Sequence, residues 1–235
     1  MNHPSHGRHV VVTAIDRASS ETVDRLGAMG TATVHEAIGR RGFLGADLRP
    51  IQQGARLAGS AVTVSSHPGD NLMLHAAVEV CRPGDLLVVT TTAPSTHGMF
   101  GELLATSLMA RGVRGLVINA GVRDTAELRE MGFAVWTRHV SCQGTVKATP
   151  GSVNVPVSIG GVVISPGDVV CGDDDGVVVV ARDEAEWAVE QSSARLDKEA
   201  SSRARLAAGE LGVDFYGLRD TLRDLGVEYV DHLDP

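Results

Sequence analysis

Two short segments hold the residue types best suited to chemistry on a small anionic substrate. In Gly98-Met99-Phe100-Gly101-Glu102-Leu103-Leu104, two glycines three apart form a loop after an apolar run and open a helical pattern. The first amides of a helix have no partner within it, so such a start accepts a carboxylate or a phosphate. The same spacing serves a plain strand-to-helix turn equally well, and GxGxxG, the dinucleotide pattern, does not occur. Asn119-Ala120-Gly121-Val122-Arg123-Asp124 repeats the arrangement after a second apolar run. There Arg123 offers a planar fork to an anionic or carbonyl oxygen, and Asp124 offers a hard oxygen to a divalent cation. Taken alone, that segment also fits Asp124 as a helix cap with Arg123 in solvent. Two such loops at the ends of consecutive strands argue for a shared pocket, because open α/β sheets bind ligands at that edge.

The remaining candidates point less directly to chemistry. Glu199, in Asp197-Lys198-Glu199, lies in a charged stretch whose spacing suits i,i+4 ion pairs on a solvated face. His35, His75, His97 and His139 have no ligand spacing such as HExxH and read as core or network histidines. His3, His6 and His9 read as part of a tail rather than a metal site. Gly172-Asp173-Asp174-Asp175-Gly176 lacks the later glutamate of a calcium loop and reads as a tight acidic hairpin. Lysine-amine chemistry has two candidates, Lys147 and Lys198, since the other 19 of the 21 basic residues are arginines.

The elements that must position these groups alternate. Apolar spacing predicts helices over residues 20–29, 33–38, 72–80, 101–110 and 124–131, and strands over 58–65, 86–92, 115–119 and 133–136. Residues 143–180 change character, dense in valine, glycine and turn signals, and read as a hairpin-rich β layer ending in a strand over 177–180. A charged, alanine-rich helix over 183–209 and a last helix over 216–225 follow. We therefore expect a flexible tail over residues 1–12, one α/β domain over 13–182 and a C-terminal helical extension over 183–235.

The 235 residues are 43% hydrophobic but 3% aromatic, so the core must be aliphatic and a base-stacking surface is not expected. A net charge of −8 argues against nucleic acid or an anionic membrane as partner. No run approaches the about 18 apolar residues of a spanning helix. Three cysteines, Cys81, Cys142 and Cys171, without CxxC spacing suit neither a disulfide framework nor zinc, and a cytoplasmic setting is expected.

Several motifs in register then resemble one family. Gly30-Thr31-Ala32-Thr33-Val34-His35-Glu36-Ala37, Gly101-Glu102-Leu103-Leu104-Ala105-Thr106, Ile118-Asn119-Ala120-Gly121-Val122-Arg123-Asp124, Gly144-Thr145-Val146-Lys147-Ala148-Thr149 and Asp174-Asp175-Gly176-Val177 resemble the RraA-like superfamily. Within it the chain is most similar to 4-hydroxy-4-methyl-2-oxoglutarate / 4-carboxy-4-hydroxy-2-oxoadipate aldolases. The resemblance implies a three-layered β/β/α domain, trimers often paired into hexamers, and Mg²⁺- or Mn²⁺-dependent pyruvate aldolase chemistry on a 4-hydroxy-2-oxo acid. It assigns the amides of Gly101, Glu102, Leu103 and Leu104 to the pyruvate carboxylate, Arg123 to the keto oxygen and Asp124 to the metal. It also assigns waters of the metal to Glu102 and to Glu199 of a neighbouring subunit; the aldolase pattern it resembles has Asp where this chain has Glu102. Other members of the superfamily are regulators that bind and inhibit a ribonuclease.

Overall fold

The computed structural model describes residues 9–232, so most of the expected tail lies outside the described residues. In chain order the elements are α1 (Ser20–Met29), α2 (Thr31–Ala37), β1 (Arg49–Pro50), β2 (Leu57–Ser66), α3 (Leu72–Val80), β3 (Asp85–Thr91), β4 (Gly98–Phe100), α4 (Glu102–Met109), β5 (Gly115–Val122), α5 (Thr125–Glu130) and β6 (Ala134–Val140). There follow β7 (Ser152–Val153), β8 (Val157–Ile159), β9 (Val162–Ile164), β10 (Val169–Gly172), β11 (Val177–Val180), α6 (Ala185–Ala207), α7 (Gly212–Phe215) and α8 (Leu218–Asp224).

One mixed sheet organises the chain up to Ser193. Its order is β1-β6-β5-β3-β2-β10-β11, with β4 added to β5 and β7 to β2. The strands β2, β3, β5 and β6 are mutually parallel, joined by the crossover helices α3, α4 and α5. Strand alternation sends Val62, Val64, Leu87, Val89, Leu116 and Ile118 to one face, where Leu74, Ala77, Leu104 and Leu108 of α3 and α4 cover them. The intervening residues Ala61, Leu86, Val88, Val117 and Trp136 face a second core with the β8–β9 hairpin and β10–β11. A third cluster packs α1, α2 and the start of α6 on β10 and β11. The architecture is thus an α/β fold of β/β/α layers with a helical C-terminal extension, as the resemblance implies.

Sequence punctuation accounts for the boundaries. Ser19 caps α1 by accepting from the Thr22 amide, and Gly30, at φ 83°, stops it where a side chain would be strained. The acidic turn between β10 and β11 is the hairpin that the glycines and aspartates suggest. Two expectations need correcting. Residues 98–100 are a strand rather than a loop, because β5 runs on to Val122 and offers Gly121 and Val122 as partners to Gly98 and Phe100. Val10 and Val12 are held rather than free: Val153 donates to the Val10 carbonyl at 2.8 Å, and Val12 donates to the Val153 carbonyl at 3.1 Å.

The chain divides into two compact units after Ser193, within α6. The second unit, from Ala194 onward, contains the rest of α6 with α7 and α8. The Arg205 guanidinium lies 4.3 Å from the Phe215 ring centre and pairs with Glu210 at 2.6 Å. No helix among the described residues is long and apolar enough to cross a membrane.

Candidate active site

The two segments singled out for chemistry meet. Gly98, Gly101, Leu103, Leu104, Arg123 and Asp124 line one cavity of about 100 Å³ at the carboxyl edge of the sheet. Parallel pairing brings them together, because β4 lies beside the end of β5 and both strands run in the same direction into α4 and α5.

Asp124 is not an ordinary cap. It sits at φ 54° and ψ 42°, a left-handed conformation uncommon for a side-chain-bearing residue, and its side chain makes no capping bond to α5. Its carboxylate instead crosses to α4, where Oδ2 accepts from the Glu102 amide at 3.1 Å. Arg123 Nε lies 3.6 Å from the same oxygen, and both side chains are partly exposed, at 44% and 39%. Gly101 makes room for this arrangement, since a Cβ there would come within 2.2 Å of Asp124 Oδ2. With the Glu102 amide committed to Asp124, the amides of Leu103 and Leu104 are the donors that the start of α4 offers a ligand.

Three residues that sequence spacing did not assign to the site complete its wall: Asn71, His75 and Lys147. Asn71 and His75 stand at the start and in the first turn of α3. Lys147 is carried by a loop fixed at Asp70, which is fully buried and accepts from the Leu72, Ala148 and Thr149 amides at 2.9, 2.9 and 2.6 Å. Burial raises the Asp70 carboxyl, but the three amides outweigh it and hold the group below its usual value. Burial, with the Lys147 charge second, lowers His75. Neutral His75, cationic Arg123 and Lys147, and anionic Asp124 leave the cavity with an excess of positive charge, suited to a carboxylate-bearing ligand. The signal for Asn71 and His75 was their place on one face of α3 immediately after the turn at Pro68 and Gly69.

Two expected site residues stand differently. Glu102 contributes backbone, while its carboxylate turns along α4 and accepts from Thr106 Oγ1 at 3.0 Å. Glu199 belongs to the second unit and pairs with Arg195 one turn earlier at 2.8 Å. Among the described residues no cluster of three or more His, Cys, Asp or Glu side chains forms a metal cage. A single carboxylate nevertheless suits Mg²⁺ or Mn²⁺, which keep waters and substrate oxygens as their other ligands. Asp124, held in a strained conformation beside a glycine-cleared space, fits that role.

Fold and cavity define an α/β protein with a positively biased cavity at the sheet's carboxyl edge. The chain belongs to the RraA-like family, whose model, described as Aldolase/RraA, matches residues 31–179. A protein of Halalkalibacterium halodurans provisionally named 4-hydroxy-4-methyl-2-oxoglutarate aldolase is 27% identical over 191 residues, covering 81% of this chain and 91% of that protein. A protein of Burkholderia multivorans with the same provisional name is 37% identical over 134 residues, covering 57% and 81% respectively. Among solved structures, Streptomyces coelicolor RraAS2, described as an unusual member of the RNase ES inhibitor RraA family, superimposes with a TM-score of 0.73 at 30% identity. That match covers 81% of this chain and 99% of RraAS2.

Proposed function

We propose that the protein is a divalent-metal-dependent pyruvate aldolase. It would cleave 4-carboxy-4-hydroxy-2-oxoadipate to pyruvate and oxaloacetate, or 4-hydroxy-4-methyl-2-oxoglutarate to two molecules of pyruvate. The observation that carries this reading is the meeting of Arg123, Asp124 and the first amides of α4 in one positively biased cavity. The names of the relatives support it.

The chain's own groups divide the work. The Leu103 and Leu104 amides hold the carboxylate next to the keto group, as the first donors of a helix do. Arg123 donates to the keto oxygen and gains strength as that oxygen becomes the enolate, which is differential binding of the transition state. Mg²⁺ or Mn²⁺ held by Asp124 would supply Lewis-acid polarisation of the substrate's carboxylate and keto oxygens. The C4 hydroxyl loses its proton as the C3–C4 bond breaks, and the bonding pair passes into the enolate, which is then protonated at C3. Glu102, or Glu199 from a neighbouring copy in a trimer or hexamer, would hold the water that takes the C4 hydroxyl proton. Loss of CO₂ from oxaloacetate forms the same enolate, so that decarboxylation accompanies the main reaction. The three free cysteines suit a reducing cytoplasm.

The likeness to RraAS2 favours one other reading, a regulator that binds and inhibits a ribonuclease. Pyruvate release from 4-carboxy-4-hydroxy-2-oxoadipate, measured beside inhibition of RNase ES, separates the two. Turnover without inhibition supports the aldolase; inhibition without turnover replaces it.

A further inference from the structure

Asn71 is more than nine-tenths buried, with 7% of its surface exposed, and it lines the same cavity as Arg123 and Asp124. It occupies the N-cap position of α3, where asparagine ordinarily turns its side chain onto the helix amides, yet it makes no such bond. Its backbone is fixed, with the amide donating to the Val146 carbonyl at 3.0 Å. Its side chain reaches across to β4, where Nδ2 donates to the Met99 carbonyl at 3.2 Å. That carbonyl accepts only, so the amide cannot be reversed without setting oxygen against oxygen. Oδ1 is therefore left buried, and among the described residues no donor reaches it. Buried acceptors are rarely left so, because the lost hydration is not returned.

We infer that Asn71 Oδ1 accepts a hydrogen bond from the C4 hydroxyl of the substrate and so selects 4-hydroxy-2-oxo acids over analogues lacking that group. The assignment rests on the aldolase reading and deepens it. At neutral pH the carboxylates and keto oxygen of such a substrate are acceptors, and Arg123, Lys147 and the α4 amides supply donors to them. The C4 hydroxyl is the substrate's one donor, and Asn71 Oδ1 is a buried acceptor with no partner among the described residues. Because that proton leaves as the C3–C4 bond breaks, the contact belongs to the bound substrate rather than to the late transition state. Asn71 is thus a residue that selects at the binding step, and its loss raises KM without lowering kcat.

Asn71→Leu keeps the branched shape and removes the acceptor, along with the donor to the Met99 carbonyl, and Asn71→Ala carries the same comparison should leucine not be tolerated. Two reactions are followed on each protein: cleavage of 4-hydroxy-4-methyl-2-oxoglutarate, and exchange of the pyruvate methyl protons in D₂O, which involves no C4 hydroxyl. We expect KM for cleavage to rise about tenfold or more, the effect of one lost hydrogen bond. Methyl exchange and inhibition by pyruvate should change several-fold less than cleavage, which also reports an intact site. In the wild type, 2-oxoglutarate, lacking the hydroxyl, should compete correspondingly weakly. An unchanged KM, or equal losses in cleavage and exchange, would overturn the assignment while leaving the aldolase reading in place. A wild-type protein that neither cleaves nor exchanges would overturn the aldolase reading, and this assignment with it.

Discussion

Replacing Gly101 by alanine tests whether the position of the Asp124 carboxylate governs turnover. Gly101 has φ −161° and ψ −168°, extended backbone that alanine adopts without strain, so the substitution acts through its methyl group alone. That methyl would lie 2.2 Å from Asp124 Oδ2 and 3.1 Å from Arg123 Cγ, whereas ordinary contact begins at 3.4 Å. The carboxylate must therefore retreat by about 1 Å, and a misplacement of that size costs roughly 10²-fold in rate. The fold should lose little. One hydrogen bond, from the Glu102 amide, is at stake, worth about 1 kcal/mol and about 2 to 4 °C in Tm for a chain of this size. The assay is pyruvate release coupled to NADH oxidation by lactate dehydrogenase, run beside a thermal melt. Gly144→Ala is the control, because nothing lies within 4 Å of a methyl group added there. Full activity in Gly101→Ala would show that the carboxylate's position is immaterial and would refute the reasoning.

Three further outcomes are expected. Arg123→Ala should lower kcat by roughly 10²- to 10³-fold, as for one lost oxyanion donor, and Arg123→Lys should recover little; a change in KM alone would confine Arg123 to ground-state binding. Asp70→Ala leaves three amides unpaired and should destabilise the fold by about 3 kcal/mol, at about 1 kcal/mol per bond. Because the folded state holds this carboxyl below its unfolded value near 3.8, its contribution is present above that pH and is lost as pH falls through the lower folded value. Thermal melts of wild type and variant should therefore converge in acid, and a constant gap would contradict this account. Finally, dissociated and reassembled mixtures of inactive Glu199→Ala and Asp124→Ala subunits should regain activity; inactive mixtures proven to contain mixed oligomers would rule out a shared site.

Elements with a clear period were legible in the sequence. The apolar spacing of residues 72–80 gives α3 with its observed bounds. The run at 115–119 marks β5, although the strand continues to Val122. That extension depends on partners distant in sequence, His139 and Val140 on one side and Gly98 and Phe100 on the other, and three-residue β4 is too short to show a period of its own. The same limit applies to the site. Arg123 and Asp124 announce themselves by type and by position after an apolar run. Asn71 merely precedes the helix that the spacing predicts over 72–80, and only the Met99 carbonyl, brought in by β4, shows where its side chain turns. Lys147 could be flagged as one of two lysines, but its place in the cavity depends on Asp70 gripping a loop nearly eighty residues further along the chain.

The account stands most directly on metal dependence at Asp124. Pyruvate release should be measured for wild type as purified, after EDTA, and after restoration of millimolar Mg²⁺, beside Asp124→Ala under the same conditions. The account predicts activity lost to EDTA, regained with Mg²⁺, and near background in Asp124→Ala throughout. Normal turnover after EDTA, together with a borohydride-trapped pyruvate adduct on Lys147, would contradict it and assign the chemistry to a lysine amine.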